Sequence, residues 1–180
     1  ATSIRQRADV EIGAFLSGGV DSSTIVGLMS LNRITKIPTF SVGFEDSRFD
    51  EGKYAELASY RFDTEHCSET FTIKKLINSW NDVTHYCEQP HGDVSFLPTF
   101  LVSKIAARKL KVVLTGDGGD ELFGGYDKYI NFMRNEKSFY NPEAWASRYA
   151  EYIGLISDEL ATELFTPAFM EIYKASNPFE

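Results

Sequence analysis

Two short stretches of the chain gather glycines, hydroxyls and carboxylates densely enough to do chemistry. The first is Ser17-Gly18-Gly19-Val20-Asp21-Ser22-Ser23, which follows an apolar run and opens a helix-forming segment. The first backbone N–H groups of a helix have no intrahelical partner, and the helix dipole adds partial positive charge there, so an anion is stabilised at that end. Two residues without Cβ let the backbone approach such an anion, and phosphate is the ligand this composition suits. The stretch is neither a Walker loop, since no Gly-Lys-Ser/Thr follows, nor the Gly-x-Gly-x-x-Gly dinucleotide fingerprint. The second stretch, TGDGGDELFGGY from Thr115 to Tyr126, places Asp117, Asp120 and Glu121 after an unbroken β-branched run. Carboxylates there suit Mg²⁺, which is held by one or two carboxylates plus phosphate oxygens. Taken singly, each stretch also has a purely structural reading: a glycine turn capped by Ser17 or Asp21, and helix capping by Asp120 and Glu121.

These groups need elements to position them. Glu11–Leu16, Ile37–Phe44 and Lys111–Thr115 read as strands, and Glu65–Phe71 as a weaker one. Between them, Ser22–Leu31, Gly52–Phe62, Ile73–Tyr86 and a segment opened by Pro98 and running to Lys109 read as helices, the third ended by Glu88-Gln89-Pro90. Strands alternating with helices predict an α/β fold: a parallel sheet of about five strands with helices on both faces. In such sheets ligands sit beyond the carboxyl ends of the strands, where both glycine-rich stretches fall. After Glu136 the pattern is helical only, with Trp145, Tyr149 and Tyr152 on one helix face and Ala161, Leu164 and Phe165 suggesting another helix. The expected organisation is a core over residues 1–136 and a helical C-terminal extension over 137–180.

Bulk properties bound the rest. A chain of 180 residues with 43% hydrophobic and 14% aromatic content can bury a real core. Its formal charge of −8 disfavours broad binding to nucleic acid or anionic membrane, while leaving room for a local nucleotide pocket. No apolar stretch approaches the roughly 18 residues of a membrane helix and the N-terminus has no signal core, so a cytosolic location is expected. Cys67 and Cys87 with His66, His85 and His91 lack the paired spacing of zinc sites and read as ordinary thiols and imidazoles.

The Ser-Gly-Gly-x-Asp-Ser run resembles the loop with which the ATP-pyrophosphatase superfamily binds the β- and γ-phosphates of ATP. Together with TGDGGDELFGGY about a hundred residues later, it resembles the synthetase domain of class II, glutamine-dependent asparagine synthetases and their amidotransferase relatives. The similarity runs from about residue 8 to residue 130. It includes Asp9-Val10, SVGF at Ser41–Phe44, Phe49-Asp50-Glu51 with Tyr54-Ala55, and Asp93-Val94-Ser95 with Pro98.

The resemblance implies an ATP-dependent ligase in which a carboxylate, aspartate in the named enzymes, attacks the α-phosphate of ATP. The acyl-adenylate formed is then converted to an amide by ammonia. It further implies that Leu16, Ser17, Gly18, Gly19, Val20, Asp21, Ser22 and Ser23 hold phosphates and ribose, and that Val42 and Gly43 meet the adenine. Asp21 and Asp120 would bind Mg²⁺, which neutralises charge on the departing pyrophosphate. Gly116 and Asp117 would line the adenylate site, with Glu121 and Tyr126 beside them. Asparagine synthetases often carry glutamate where this chain has Asp117, which keeps open a related amidotransferase acting on a sugar uronate or another carboxylate. A fragment that binds nucleotide without turnover is the third reading. The family's glutaminase uses an N-terminal cysteine and its later synthetase motif is rich in Lys, Asp and Arg. Neither is found here, so the expectation is a fragment lacking the glutaminase domain.

Overall fold

In the computed structural model the described residues are 1–31, 33–48, 50–88, 93, 95–135, 141–154, 156 and 158–175. Phe49, Gln89, Pro90, His91 and Val94, and the expected boundary between residues 136 and 137, lie outside them. The elements run α1 (Thr2–Arg5), β1 (Ile12–Phe15), α2 (Val20–Ser30), β2 (Pro38–Phe44), α3 (Gly52–Phe62), β3 (Glu65–Phe71), α4 (Ile73–Cys87) and α5 (Phe96–Ala106). They continue with β4 (Val112–Leu114), α6 (Gly119–Phe123), α7 (Asp127–Asn135), α8 (Pro142–Ile153), α9 (Asp158–Leu164) and α10 (Pro167–Ala175). The chain forms two compact units, Ala1–Gly119 and Asp120–Glu180.

The first unit is an α/β layer structure around one sheet of order β3-β2-β1-β4. All three strand pairings are parallel, with Ala14 opposite Thr39 and Leu114, and Phe40 opposite Cys67. The sheet has four strands among the described residues where about five were expected. The four runs identified in the sequence account for all of them. Side chains alternate across a strand, and β1 uses both sides. Ile12, Ala14 and Leu16 bury against Val26 and Met29 of α2 and against Ile37, while Phe15 packs with the opposite cluster of Phe40, Phe71, Leu101, Val102 and Ile105. Each of the larger side chains among them contributes about 1.5–3 kcal/mol by leaving water, so two clusters on opposite faces fix the sheet between its helices.

Helix ends follow local chemistry. Thr72 caps α4 by accepting the Lys75 N–H at 3.1 Å, and Glu88, in the left-handed region at φ 60°, ends it. The helix α5 starts at Phe96, so Pro98 lies in its first turn, where a missing N–H removes no helical bond. It ends at Ala106 rather than Lys109. No described helix is long and apolar enough to cross a membrane.

The weak sequence signal of β3 has a structural reason. Its polar residues His66 and Ser68 join a partly buried hydroxyl–imidazole network rather than an apolar core. Thr39 Oγ1 meets Thr64 Oγ1 at 2.8 Å and His66 Nδ1 at 2.9 Å, Thr64 donates to Ser59 Oγ at 2.8 Å, and Ser41 Oγ meets His66 Nε2 at 3.1 Å. Ser41 in turn donates to Ser68 Oγ at 3.0 Å. Both imidazole nitrogens of His66 are thus engaged with hydroxyls.

Burial holds the His66 pKa below its ordinary 6.5, opposed by the Glu56 carboxylate. The unfolded chain therefore takes up this proton at higher pH than the folded chain does. The resulting stability is complete above the unfolded pKa and declines as the pH falls below it. Thermal unfolding between pH about 7.5 and 5.5 is expected to show a larger loss of stability for the native protein than for His66→Gln, because only the native protein carries this linkage. Equal slopes would remove His66 from the pH response.

The second unit is helical. Trp145, Tyr149 and Tyr152 of α8 share a face, as their spacing predicts, and all three meet the buried Phe132 of α7, with ring centroids 5.6, 5.1 and 5.4 Å away. Phe165 packs on Phe169 at 4.7 Å and on Tyr173 at 5.5 Å, so these aromatics find partners within the chain.

Candidate functional site

The first glycine-rich stretch is the β1–α2 turn. Leu16 continues β1 by donating its N–H to Phe40 O at 2.9 Å, after which the chain turns at Gly18 into α2. Gly19 is the N-cap residue and supplies no side-chain cap. Its carbonyl takes the first backbone bond of the helix, from the Ser23 N–H at 3.0 Å. The N–H groups of Val20, Asp21 and Ser22 are the first three of the helix and have no intrahelical acceptor. Val20 is 82% exposed and its side chain has no polar atom, so any hydrogen bond it offers a ligand comes from its backbone.

The serines shape the turn from within. Ser22 Oγ donates to Gly19 O at 3.3 Å and lies 3.0 Å from Ser17 Oγ, while the Gly19 N–H donates to Ser17 Oγ at 3.3 Å. Ser22 is buried, so its hydroxyl is a brace of the loop rather than a free donor.

The second stretch arrives at the same place. Gly116 lies against the start of α2: a Cβ there would come within 2.8 Å of Ser22 N. A Cβ on Gly119 would fall 2.4 Å from Asp21 Cγ. The absence of both side chains is what lets the β4–α6 turn close over Asp21. That turn is held by a Gly119 N–H bond to Gly116 O at 3.1 Å, and Asp117 projects from it, exposed, with its N–H 3.4 Å from Thr115 Oγ1. Two loops a hundred residues apart in sequence therefore converge on one carboxylate within the first unit.

Beside them, at the carboxyl ends of β1 and β2, is a cavity of about 230 Å³. Leu16 and Ser17 connect it to the glycine turn; Val42 and Phe44 form its floor, Glu51 and Gly52 one wall, and Pro98, Thr99 and Val102 of α5 another. The lining is largely apolar with a few hydroxyls, suited to a flat aromatic base. Gly43, expected to meet the ligand with Val42, is buried and does not line this cavity. The α5 residues were not singled out as ligand contacts by sequence reasoning. Pro98 read as a helix start and as part of the family similarity, but not as a ligand contact, because which helix roofs a pocket is set by packing.

The remaining expected residues belong to the second unit. Asp120 lies against Gly125, where a Cβ would meet Asp120 Oδ1 at 2.0 Å. Tyr126 donates its hydroxyl to Glu121 Oε1 at 2.8 Å. This bond holds the Glu121 carboxyl below its ordinary range and pushes the Tyr126 phenol up to about 12, so at neutral pH the pair is a neutral phenol on a carboxylate. Among the described residues no group of three or more His, Cys, Asp or Glu side chains is placed to hold a metal ion. Mg²⁺ does not require one, since one or two carboxylates suffice when phosphate oxygens complete the shell.

A family model described as "Asparagine synthase" matches residues 1–178. The chain belongs to the asparagine synthase family. Among its relatives, a "Putative asparagine synthetase [glutamine-hydrolyzing] 2" of Methanocaldococcus jannaschii is 43% identical over 135 residues, covering 74% of this chain and 26% of that protein. "Asparagine synthetase [glutamine-hydrolyzing] 1" of Bacillus subtilis is 35% identical over 129 residues, 72% of this chain and 20% of that one. The chain thus spans about a quarter or less of the length of these relatives. Among solved structures, an NH3-dependent NAD synthetase from Campylobacter jejuni covers 97% of this chain and 87% of its own, with a TM-score of 0.47 and 13% identity. Membership of the family rests on the sequence matches, and the parallel α/β layer with its helical C-terminal part is the architecture that carries them.

Proposed function

We propose that this chain is the ATP-binding part of a synthetase that adenylates a carboxylate, aspartate first among candidates, releases pyrophosphate, and forms the amide with ammonia. The observation that carries this reading is the closure of the β4–α6 turn over Asp21 at the N-terminus of α2, where Gly116 and Gly119 leave no Cβ in the way. The triphosphate of ATP fits the cradle at Gly18–Ser23, with the unpaired N–H groups of Val20, Asp21 and Ser22 as donors. The base fits the cavity at Val42.

Asp21 would hold Mg²⁺, with Asp120 the second ligand that the motif implies. The ion when bound would supply charge neutralisation for the leaving pyrophosphate. Gly116 and Asp117 would face the adenylate, with Glu121 and Tyr126 in support. The chain's own contribution is to place donors and one carboxylate so that charge developing on the pyrophosphate is met without reorganisation. Glutamine hydrolysis would fall to a glutaminase domain outside this sequence, and the whole would work in the cytosol.

Asp117 keeps a second acceptor open: its side chain is one methylene shorter than the glutamate common in asparagine synthetases, which leaves room for a different carboxylate. The test supplies Mg²⁺, ATP, ammonia and a panel of acids, and follows AMP. AMP formed with aspartate supports the first reading, and AMP formed only with another acid selects the second. Mg²⁺-dependent ATP binding with no AMP from any acid would leave a nucleotide-binding module.

A further inference from the structure

The segment between β2 and α3 carries a carboxylate with no place in the chemistry described so far. Asp50 Oδ1 accepts the Phe44 N–H at 3.2 Å and the Gly52 N–H at 3.3 Å. Phe44 is the last residue of β2 and Gly52 the first of α3, so one oxygen ties the two ends of the connecting segment together. The Gly52 N–H opens a helix and has no intrahelical acceptor, so the carboxylate satisfies a donor the helix leaves over.

Room for this carboxylate is made by Gly43, where a Cβ would stand 2.9 Å from Asp50 Oδ1. Gly43 therefore has a reason to be glycine that does not involve touching a ligand. Phe44, Glu51 and Gly52, the residues at and beside the tie, line the cavity at the ends of β1 and β2, whereas Asp50 does not.

We infer that Asp50 is a positioning residue for the base and sugar of the nucleotide: by bridging Phe44 and Gly52 in the space left by Gly43, it fixes the wall of the cavity. This inference rests on the nucleotide reading of that cavity. It separates the two ends of the ligand, because the Gly18–Ser23 cradle takes none of its bonds from Asp50. Losing the tie frees the wall at Phe44 and Gly52 and removes no hydrogen bond of the phosphate cradle.

The experiment is a calorimetric titration of the 180-residue chain with AMP and, separately, with Mg²⁺-pyrophosphate. Asp50→Ala is expected to weaken AMP by about tenfold while changing Mg²⁺-pyrophosphate by less than about twofold. Asp50→Asn keeps a side-chain carbonyl that can accept both N–H groups, and should recover most of the AMP affinity. Gly43→Ala crowds the carboxylate out from behind and should reproduce the AMP-selective loss, which also serves if Asp50→Ala does not fold.

A general loss of structure would lower both affinities together, and that outcome, or no loss of either, overturns the positioning role. Failure of the native chain to bind AMP removes the nucleotide reading of the cavity and this inference with it. Normal AMP binding by the native chain, by Asp50→Ala and by Gly43→Ala removes the inference alone.

Discussion

Asp21→Ala is expected to abolish the Mg²⁺-dependent part of ATP binding, with a loss in affinity of about 100-fold, or about 2.7 kcal/mol, while the fold persists. The Asp21 carboxylate sits where the β1–α2 and β4–α6 turns meet, close enough to Gly119 that no Cβ could be accommodated there. Asp21 is only half-buried and outside both apolar clusters, so on the proposed reading removing it should spare stability. Calorimetric titration with ATP, with and without Mg²⁺, reads the difference directly. Asp21→Asn keeps the shape and removes the charge, so it should behave like Ala if the carboxylate serves a cation. Full Mg²⁺-dependent affinity in either variant would place the ion elsewhere.

The second large effect concerns stability. Gly18 has φ +85°, and a Cβ there would lie 2.3 Å from the Tyr54 backbone carbon of α3. An L-residue in that conformation costs about 1–2 kcal/mol, and forcing a methyl against immovable backbone costs about 1–3 kcal/mol more. Gly18→Ala should therefore destabilise the protein by roughly 2–5 kcal/mol, a large share of the total for a domain of this size. Gly19 is the natural control. Its φ is −67°, and the nearest atom to a Cβ there is Ser17 Oγ at 3.4 Å, so Gly19→Ala should cost less than about 1 kcal/mol. Urea unfolding of both variants decides it: equal midpoints for the two would contradict the assignment of the strained position to Gly18.

The neighbouring glycines show where reading the chain reached its end. From the sequence Gly18 and Gly19 were equivalent, two residues without Cβ in a phosphate-shaped loop. Nothing local says that α3, more than thirty residues later, will press its backbone against one of them. Gly43 was expected beside the adenine from the resemblance alone, and nothing in the sequence pointed to the Asp50 carboxylate that lies behind it. Asp50 stood in the text of the sequence as part of Phe49-Asp50-Glu51, but its partners are backbone N–H groups, and backbone donors leave no trace in residue type. His66 likewise carried no visible role, because its partners Thr39 and Ser41 sit on another strand.

The sequence by itself determined what depends on short-range pattern. Apolar runs alternating with amphipathic stretches placed all four strands and the helices between them to within a few residues, because burial on a sheet or a helix face imposes a period. The composition of Ser17–Ser23 and Thr115–Tyr126 marked both glycine-rich turns that meet at Asp21, because close backbone approach restricts which residues can serve. The tertiary structure alone decided that the order β3-β2-β1-β4 brings the ends of β1 and β4 side by side, so that Gly116 and Gly119 close over Asp21, and that α5 roofs the cavity at Val42. Strand order and helix packing are set by contacts summed over the whole unit, and no window of the sequence contains that sum.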